Sequence, residues 1–301
     1  MRIGIQFDTR GNPNLDSILG EFARAEQEGF QSVWIGQVFD HDILTLMALA
    51  GTRTSRIELG TSVVPLPPRH PTALAQQALT TQLATGNRLC LGVGSGHAVI
   101  LDKKLGLADD HPLGRTREAL EVLRPLLRGE YVKYAGDYQR MRVGVPVAGA
   151  KAPPVILAAL GPRMIELAAE LCDGVTVVFA SRSFIAQRVT PNLPAGHRIV
   201  ASVPVAVTDR PDLVKPRIDE YTAPSTGLPA YQRVLQAQGT ERMSQVGYIG
   251  SEAEVSDGLD AFAEAGVTDL NPIVLDIPED PGGARRTRDF LAARARTVAG
   301  V

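Results

Sequence analysis

The chain is poor in several features that mark specialised classes of protein. It has two cysteines in 301 residues, too few for a disulfide framework or a cysteine-rich metal site. Its 31 basic and 33 acidic residues give a net charge of −2, so there is no basic field to attract nucleic acid or an anionic membrane. We therefore expect neither nucleic acid nor a membrane among its partners.

Long apolar runs are also missing. None approaches the roughly 20 residues that a membrane-spanning helix needs. The first residues, MRIGIQFDT, are typical of a β-strand and lack the basic, apolar and small-residue regions of a signal peptide. With 44% hydrophobic residues, the composition predicts a cytoplasmic globular protein that forms one domain over residues 1–301.

The motifs of several enzyme classes are absent as well. The five histidines are scattered, without H-x-H or H-E-x-x-H, so we predict no metal site. There is no G-x-x-x-x-G-K-[ST] phosphate loop and no G-x-S-x-G nucleophile elbow. The five lysines lie outside the predicted strand ends, where Schiff-base chemistry would need one. A bound organic cofactor is then the expected source of reactivity.

What the sequence does contain is an alternation of strand-like and helix-like segments. Apolar runs predict eight strands, at residues 2–8, 32–37, 57–64, 89–94, 155–159, 175–179, 198–207 and 270–277. Their continuous apolar character is typical of a parallel sheet buried on both faces. Eight strands favour a (β/α)8 barrel. An open doubly wound sheet would explain the alternation but not the number eight.

The alternation is interrupted once. Residues 131–153 are rich in Tyr, Gly and Val and contain the turn signal Ala135-Gly136-Asp137. This pattern predicts a β-hairpin insertion between the fourth and fifth strands.

The segment RLCLGVGSGH, residues 88–97, contains the fourth strand and the turn after it, and it carries three glycines and a histidine. A dinucleotide fingerprint would lie in the first βαβ unit and precede an acidic residue at a later strand end, and neither condition is met. A tight turn without function explains the glycines equally simply. His97, however, is a titratable group at a predicted strand end, where barrel enzymes have their active sites.

Several stretches, taken in order, resemble the luciferase-like flavin/F420 superfamily. They are SVWI at 32, RIELGT at 56, RHP at 69, GNRLCLGVG at 86, PVILAALGPR at 154 and CDGV at 172. The combination of Gln37-Val38-Phe39 with Ser95-Gly96-His97 is most similar to actinobacterial F420-dependent oxidoreductases, often labelled methylenetetrahydromethanopterin reductases.

The resemblance implies a (β/α)8 barrel with coenzyme F420, or alternatively FMN, across its C-terminal mouth. It implies a non-proline cis peptide at Ser62–Val63 and a cofactor phosphate near Gly161, at the start of a helix. The cofactor contacts it implies are Gln37, Thr61, Ser62, Val63, Gly94, Ser95, Gly96, Ala159, Leu160, Gly161 and Arg163. For Arg163, an exposed arginine in a first helical turn is an equally simple interpretation.

The chemistry implied is hydride transfer between the deazaflavin C5 and an imine or enone of a small organic substrate. His97 stands where sugar-phosphate-oxidising relatives have a proton-donating Glu, so it is the expected proton donor. Gln37 replaces part of their catalytic Asp-His pair and becomes a neutral catalytic hydrogen-bonding group. Asp8 and His41 are the expected substrate contacts, although His41 could simply support the helix start at Asp42.

Three functions remain open from the sequence. They are an F420-dependent reductase, an FMN-dependent monooxygenase of the same fold, and a flavin-binding barrel without catalysis. The relatives are commonly dimers, so the resemblance also implies a homodimer.

Overall fold

The fold is built on thirteen strands, seen in a computed structural model that describes residues 1–7, 9, 14–107 and 110–300. The strands are β1 (Arg2–Gln6), β2 (Ser32–Ile35), β3 (Glu58–Thr61), β4 (Val64–Pro65), β5 (Leu89–Gly94), β6 (Tyr131–Ala135), β7 (Arg140–Gly144), β8 (Val155–Ala158), β9 (Gly174–Val178), β10 (Arg198–Ser202), β11 (Val205–Val207), β12 (Tyr248–Gly250) and β13 (Asp269–Leu270). Eight of them pair in parallel in the order β1-β2-β3-β5-β8-β9-β10-β13, and β13 pairs again with β1. The ring is closed, which confirms the predicted (β/α)8 barrel.

Helices connect the strands on the outside of the barrel. They are α1 (Leu15–Glu28), α2 (Ile43–Gly51), α3 (Pro71–Ala84), α4 (Ala98–Leu105), α5 (Pro112–Leu127), α6 (Pro162–Leu171), α7 (Arg182–Phe184), α8 (Pro211–Thr226), α9 (Pro229–Gln238), α10 (Glu252–Glu264) and α11 (Gly283–Ala299). Local sequence explains their starts: the Asn14 side chain accepts hydrogen bonds from the first turn of α1, and α3 and α6 begin with proline. None of the helices in the described ranges is long and apolar enough to cross a bilayer.

The antiparallel pair β6–β7 lies between β5 and β8 and packs on α5. Its turn is held by one carboxylate, because Glu118 of α5 accepts hydrogen bonds from the backbone N–H groups of Asp137, Tyr138 and Gln139 at 2.7–2.8 Å. The Tyr134 hydroxyl donates to Glu121 at 2.5 Å. The hairpin is thus fixed to the outer helix layer.

Three predicted elements differ from the structure. The strand predicted at 198–207 breaks after Ser202, because Pro204 has no N–H for the ladder; β11 then pairs with β12, which was not predicted. The strand predicted at 270–277 shortens to β13, with Pro272 directly after Asn271. The sequence predicts no regular element directly after the fourth strand, but a helix, α4, forms there after His97.

The barrel interior is layered. At the amino ends of the strands, Arg198 donates hydrogen bonds to Glu58 at 2.7 Å and to Asp269 at 2.6 Å. Above this charged layer lies an apolar cluster of Trp34, Cys90, Ile156 and Val200, all fully buried. Trp34 fits because its neighbour Gly60 has no side chain; a Cβ there would lie 2.2 Å from the indole Cε3 atom. The lower part of the barrel interior is therefore packed, which leaves the carboxyl ends as the place where barrel enzymes have their sites.

Candidate active site

The carboxyl end of β5 forms one wall of the mouth. After Gly94 the chain turns through Ser95 and Gly96, whose φ of +74° is accessible to glycine at little cost, and α4 begins after His97. The Ser95 hydroxyl donates a long hydrogen bond of 3.4 Å to the Gly96 carbonyl. The turn therefore leaves Ser95 and His97 half-buried at the rim.

Gly92 and Gly94 provide room for the end of β3 and the residues that follow it. A Cβ at Gly92 would lie 1.8 Å from the Thr61 carbonyl oxygen, and one at Gly94 would lie 2.9 Å from Val63 Cγ2. The buried Thr61 hydroxyl donates to the Gly92 carbonyl at 2.7 Å and accepts from its N–H at 2.8 Å. Thr61 thus joins β3 to β5, and its predicted cofactor contact stays a prediction.

The segment after β3 carries the backbone feature that the resemblance implies, since the Ser62–Val63 peptide bond is cis. Ser62 donates its N–H to the Ile35 carbonyl at 2.8 Å, and the Val63 carbonyl accepts from the Gln37 N–H at 3.3 Å. Both residues are half-buried beside Gly94, so the structure brings Ser62, Val63, Gly94, Ser95 and Gly96 to one side of the mouth.

His97 lies against aromatic rings. Its ring centroid is 5.3 Å from that of Tyr231, at an interplanar angle of 53°, and Tyr231 lies 5.4 Å from Phe179 in an edge arrangement. Among the described residues the imidazole has no hydrogen-bond partner. Burial lowers the pKa of His97 below its ordinary value of 6.5, so the ring is mainly uncharged at neutral pH.

Gln37 organises the loop between β2 and α2. Its amide nitrogen donates to the Val38 and His41 carbonyls at 3.0 and 3.1 Å. Its oxygen accepts from the Ile43 N–H at 3.0 Å and from Arg69 at 3.3 Å. These bonds use the hydrogen-bonding capacity of the amide, so the structure gives Gln37 a positioning task, and its predicted catalytic and cofactor roles stay predictions.

The same loop holds His41 next to an ion pair. Arg69 contacts Asp42 at 2.6 Å. Burial alone would raise the pKa of Asp42, but hydrogen bonds from Thr45 and Arg69 outweigh it and lower that pKa. His41 Nδ1 is buried and without a hydrogen-bond partner in the described part of the chain, and Asp40 lies 3.8 Å away. His41 therefore has an unused ring nitrogen, as a substrate contact would need. Asp8, the other predicted substrate contact, lies outside the described residues.

A polar cluster centred on Asn271, a residue that the sequence did not single out, lies at the ends of β1, β10 and β13. The buried Asn271 side chain donates to Gln6 Oε1 at 3.0 Å and to Ser202 Oγ at 2.8 Å. Its carbonyl oxygen Oδ1 has no partner in the described structure. The only sequence signal was the position of these polar residues at the ends of apolar strands.

The start of α6 has the features expected of a phosphate site. Gly161 is the N-cap, no side chain caps the helix, and a Cβ at Gly161 would meet nothing within 4 Å. In the described structure, no hydrogen bond reaches the backbone N–H of Leu160, Gly161 or Arg163, whereas that of Ala159 donates to the Thr176 carbonyl at 3.2 Å. Arg163 is exposed and has no ion-pair partner among these residues. Free N–H groups, the positive helix end and a free cation coincide here.

Other parts of the described structure have fewer features of a binding site than the barrel mouth. It contains no group of three or more His, Cys, Asp or Glu placed to hold a metal. A cavity of about 560 Å³ lies between α10 and α11 and is lined by Arg285, Arg286 and Phe290. A second, of about 390 Å³, lies near Arg124 and Arg198, towards the amino ends of the strands. Neither includes His97 or the glycine turn, so the open mouth itself is the candidate site.

Comparison with known proteins places this geometry in a family. The model of the luciferase-like monooxygenase family matches residues 1–269. A 5,10-methylenetetrahydromethanopterin reductase of Methanolobus tindarius is 31% identical over 179 residues, which cover 59% of this chain and 54% of the relative. An F420-dependent glucose-6-phosphate dehydrogenase of Nakamurella multipartita is 33% identical over 164 residues, 50% of this chain and 48% of the relative. The chain thus spans about half the length of the curated relatives it matches.

A solved structure supports the fold over nearly the whole chain. The coenzyme F420-dependent tetrahydromethanopterin reductase from Methanopyrus kandleri superposes with a TM-score of 0.73 at 20% identity, covering 97% of this chain and 98% of that one. Together with the family match, this likeness confirms the resemblance read from the motifs at residues 32, 56, 86 and 154. The chain belongs to the luciferase-like monooxygenase family.

Proposed function

We propose that the protein is an F420-dependent oxidoreductase acting on an activated double bond, an imine or enone, of a small organic substrate. The observation that carries the proposal is the position of His97, directly after the glycine turn at the barrel mouth. Its half-buried imidazole has no hydrogen-bond partner among the residues that the structure describes. The curated relatives that include F420-dependent enzymes support the choice of cofactor.

The residues at the mouth fit such a cofactor. The N–H groups at the start of α6 and the free Arg163 would hold its phosphate, which explains why no side chain caps this helix. Ser62, Val63, Gly94 and Ser95 would lie beside its ring, on the side of the mouth lined by small residues. When bound, the cofactor would supply hydride transfer at C5.

His97 has the proton-transfer task in this proposal. Neither ring nitrogen is bonded within the described ranges, so both could bond a substrate, and the lowered pKa makes the protonated ring a stronger acid than free histidine. Gln37 holds the adjacent loop, which places the free Nδ1 of His41 at the same rim. The Asn271 carbonyl oxygen offers a buried acceptor for a substrate or water N–H or O–H group.

Replacement of His97 tests this assignment. We expect His97→Ala to lose at least ~100-fold in turnover with reduced F420 and an enone such as 2-cyclohexenone, because a positioned general acid contributes about 10²–10⁴-fold. F420 affinity, measured by fluorescence, should stay within about twofold, and the wild-type pH profile should show a limb below 6.5 that the variant lacks. Unchanged turnover in His97→Ala would exclude the proton-donor role.

An FMN-dependent monooxygenase is the second candidate, favoured by the family model, which is named for such enzymes. The small-residue side of the mouth accommodates either tricyclic ring. The monooxygenase would consume oxygen with reduced FMN, and an oxygen electrode would detect this. Binding of a flavin without turnover on imines, enones or oxygen would indicate the third possibility, a non-catalytic flavin-binding barrel.

The remaining expectations belong to the same proposal. They are a small-molecule substrate, a cytoplasmic location, which rests on the composition, and a homodimer, which the family resemblance implies. Light scattering coupled to gel filtration would measure the mass of the assembly against the 32.2 kDa chain.

A further inference from the structure

The end of β9 contains an unusual backbone conformation. Phe179 has a φ of +60°, a left-handed conformation that is rare and strained outside glycine. Three hydrogen bonds hold it: its N–H donates to Ser202 at 2.8 Å, its carbonyl accepts from Gln238 Nε2 at 3.1 Å, and Gln238 Oε1 accepts from the Ser181 N–H at 2.8 Å. Gln238 thus bridges both sides of the strained residue.

This conformation sets the direction of the Phe179 side chain. The ring is 5% exposed and packs with Leu235 and Met243, under the segment that includes α9. Its edge contacts Tyr231 at 5.4 Å. Tyr231 and Gln238 are seven residues apart on α9, which is two helical turns, so both lie on the face directed at the barrel.

Tyr231 in turn is the aromatic neighbour of His97, 5.3 Å away. The imidazole has no hydrogen bond within the described structure, so ring packing and not polar contact limits its orientation. A chain of contacts therefore runs from Phe179, at the strained end of β9, through Tyr231 to His97. Gln238, on α9 with Tyr231, bonds back to the end of β9.

We propose that Tyr231 is a positioning residue for His97, buttressed by Phe179 and Gln238, and that its ring rather than its hydroxyl performs this task. The proposal rests on the proposed function of His97 in proton transfer. By packing against the imidazole in this tilted arrangement, Tyr231 limits the orientation of the ring and excludes water from the side that it contacts. α9, which lies far from the glycine turn in sequence, then becomes part of the active site.

The charged and titratable groups around His97 are few. Burial is the cause of its lowered pKa, and no charged side chain contributes in the described structure. Burial also raises the pKa of Tyr231 to about 12, so the phenol stays neutral over the working range. Lys104 of α4 lies over the Phe39 ring at 4.9 Å. Removing the Tyr231 ring should therefore change the pKa of His97 through hydration, and not through the loss of a nearby charge.

Histidine NMR titration of the intact protein tests the proposal without cofactor or substrate. We expect Tyr231→Ala to raise the pKa of His97 towards 6.5, whereas Tyr231→Phe should leave it unchanged. Tyr248→Leu is the matched control, because it removes another half-buried ring, 5.3 Å from Phe262, at a different place. If Tyr231→Ala does not fold, Tyr231→Leu retains the apolar contact and loses the ring.

The kcat of the Tyr231 variants tests whether the position of His97 affects turnover. With reduced F420 and 2-cyclohexenone, Tyr231→Ala should lose about tenfold or more in kcat, since small misplacements of a reacting group are costly, with F420 affinity unchanged. Tyr231→Phe should retain wild-type kcat. An unchanged His97 pKa in Tyr231→Ala, or equal damage in Tyr231→Phe, would overturn the proposal. If wild-type protein does not bind F420, the proposed function fails, while the NMR titration still decides the role of Tyr231.

Discussion

At the scale of single residues, the polar side chains near the mouth divide into those that hold the protein together and those with unused hydrogen-bonding atoms. The amide of Gln37 and the hydroxyl of Thr61 are fully engaged with neighbouring backbone. His97, His41 Nδ1 and Asn271 Oδ1 are not. A ligand gains most from groups that need give up no internal bond, so these three are the stronger candidates for substrate contact.

Glu26 is a carboxylate whose hydrogen bonds stabilise the fold, at a place away from the candidate site. It accepts hydrogen bonds from the backbone N–H groups of Ser55, Arg56 and Ile57 at 2.6–3.1 Å, just before β3. Burial alone would raise its pKa, but these bonds outweigh it and lower the pKa to about 2. We expect Glu26→Gln to destabilise the protein by ~1–3 kcal/mol at pH 7 in urea unfolding.

The pH dependence of this effect follows from the direction of the shift. Because the folded pKa lies below the ordinary 4.5, the stabilisation is complete above 4.5 and is lost as the pH falls towards 2. The difference between wild type and Glu26→Gln should therefore shrink over that range. The exposed Glu166 on α6 provides a control, since Glu166→Gln should change stability by less than ~0.5 kcal/mol. A constant difference between pH 5 and pH 2.5 would refute the assignment.

At the scale of elements, the junction between β3 and β5 fixes the shape of the mouth. We expect Gly92→Ala to destabilise the protein by ~1–3 kcal/mol or more, since the added methyl group would lie 1.8 Å from the Thr61 carbonyl oxygen and force the two strands apart. Thermal unfolding measures the effect. Gly20→Ala is the control: Gly20 lies within α1 with nothing near its Cβ position, so alanine should stabilise by ~0.5–1 kcal/mol. Wild-type stability in Gly92→Ala would contradict this account of the glycine segment.

Elements with strong local patterns could be predicted from the sequence. Apolar runs located all eight barrel strands, and Pro71 at the start of α3 is a helix-start signal that the sequence alone displays. The short strand β12 could not be predicted, because its three residues are defined by pairing with β11, whose residues lie 43 positions earlier in the chain. α4 was missed because His97 supplies no capping hydrogen bond to mark its start.

The candidate site was predictable to the same extent. The glycine turn, His97 and the start of α6 are continuous stretches of sequence, so they could be proposed from the sequence, and their roles stay predictions. Tyr231 and Phe179 reach His97 from distant segments, and Asn271 depends on partners at the ends of two other strands. Nothing local in the sequence marks such contacts, because they exist only once the barrel closes.

At the scale of the whole molecule, the barrel has two unlike ends. The amino end contains the network of Arg198, Glu58 and Asp269, which joins three strands and keeps its charges paired. The carboxyl end holds free polar groups, small residues and an uncapped helix start. The charges at the amino end are paired, and polar groups at the carboxyl end are not. This division is typical of barrel enzymes, in which stability and activity depend on opposite ends of the barrel.

Titration with F420 and FMN in parallel tests the central claim most directly. Followed by the fluorescence of each cofactor, wild-type protein should bind F420 saturably in the micromolar range and FMN more weakly. Arg163→Ala should weaken F420 binding, because it removes the free cation beside the uncapped start of α6. Saturable FMN binding with no F420 binding would contradict the account.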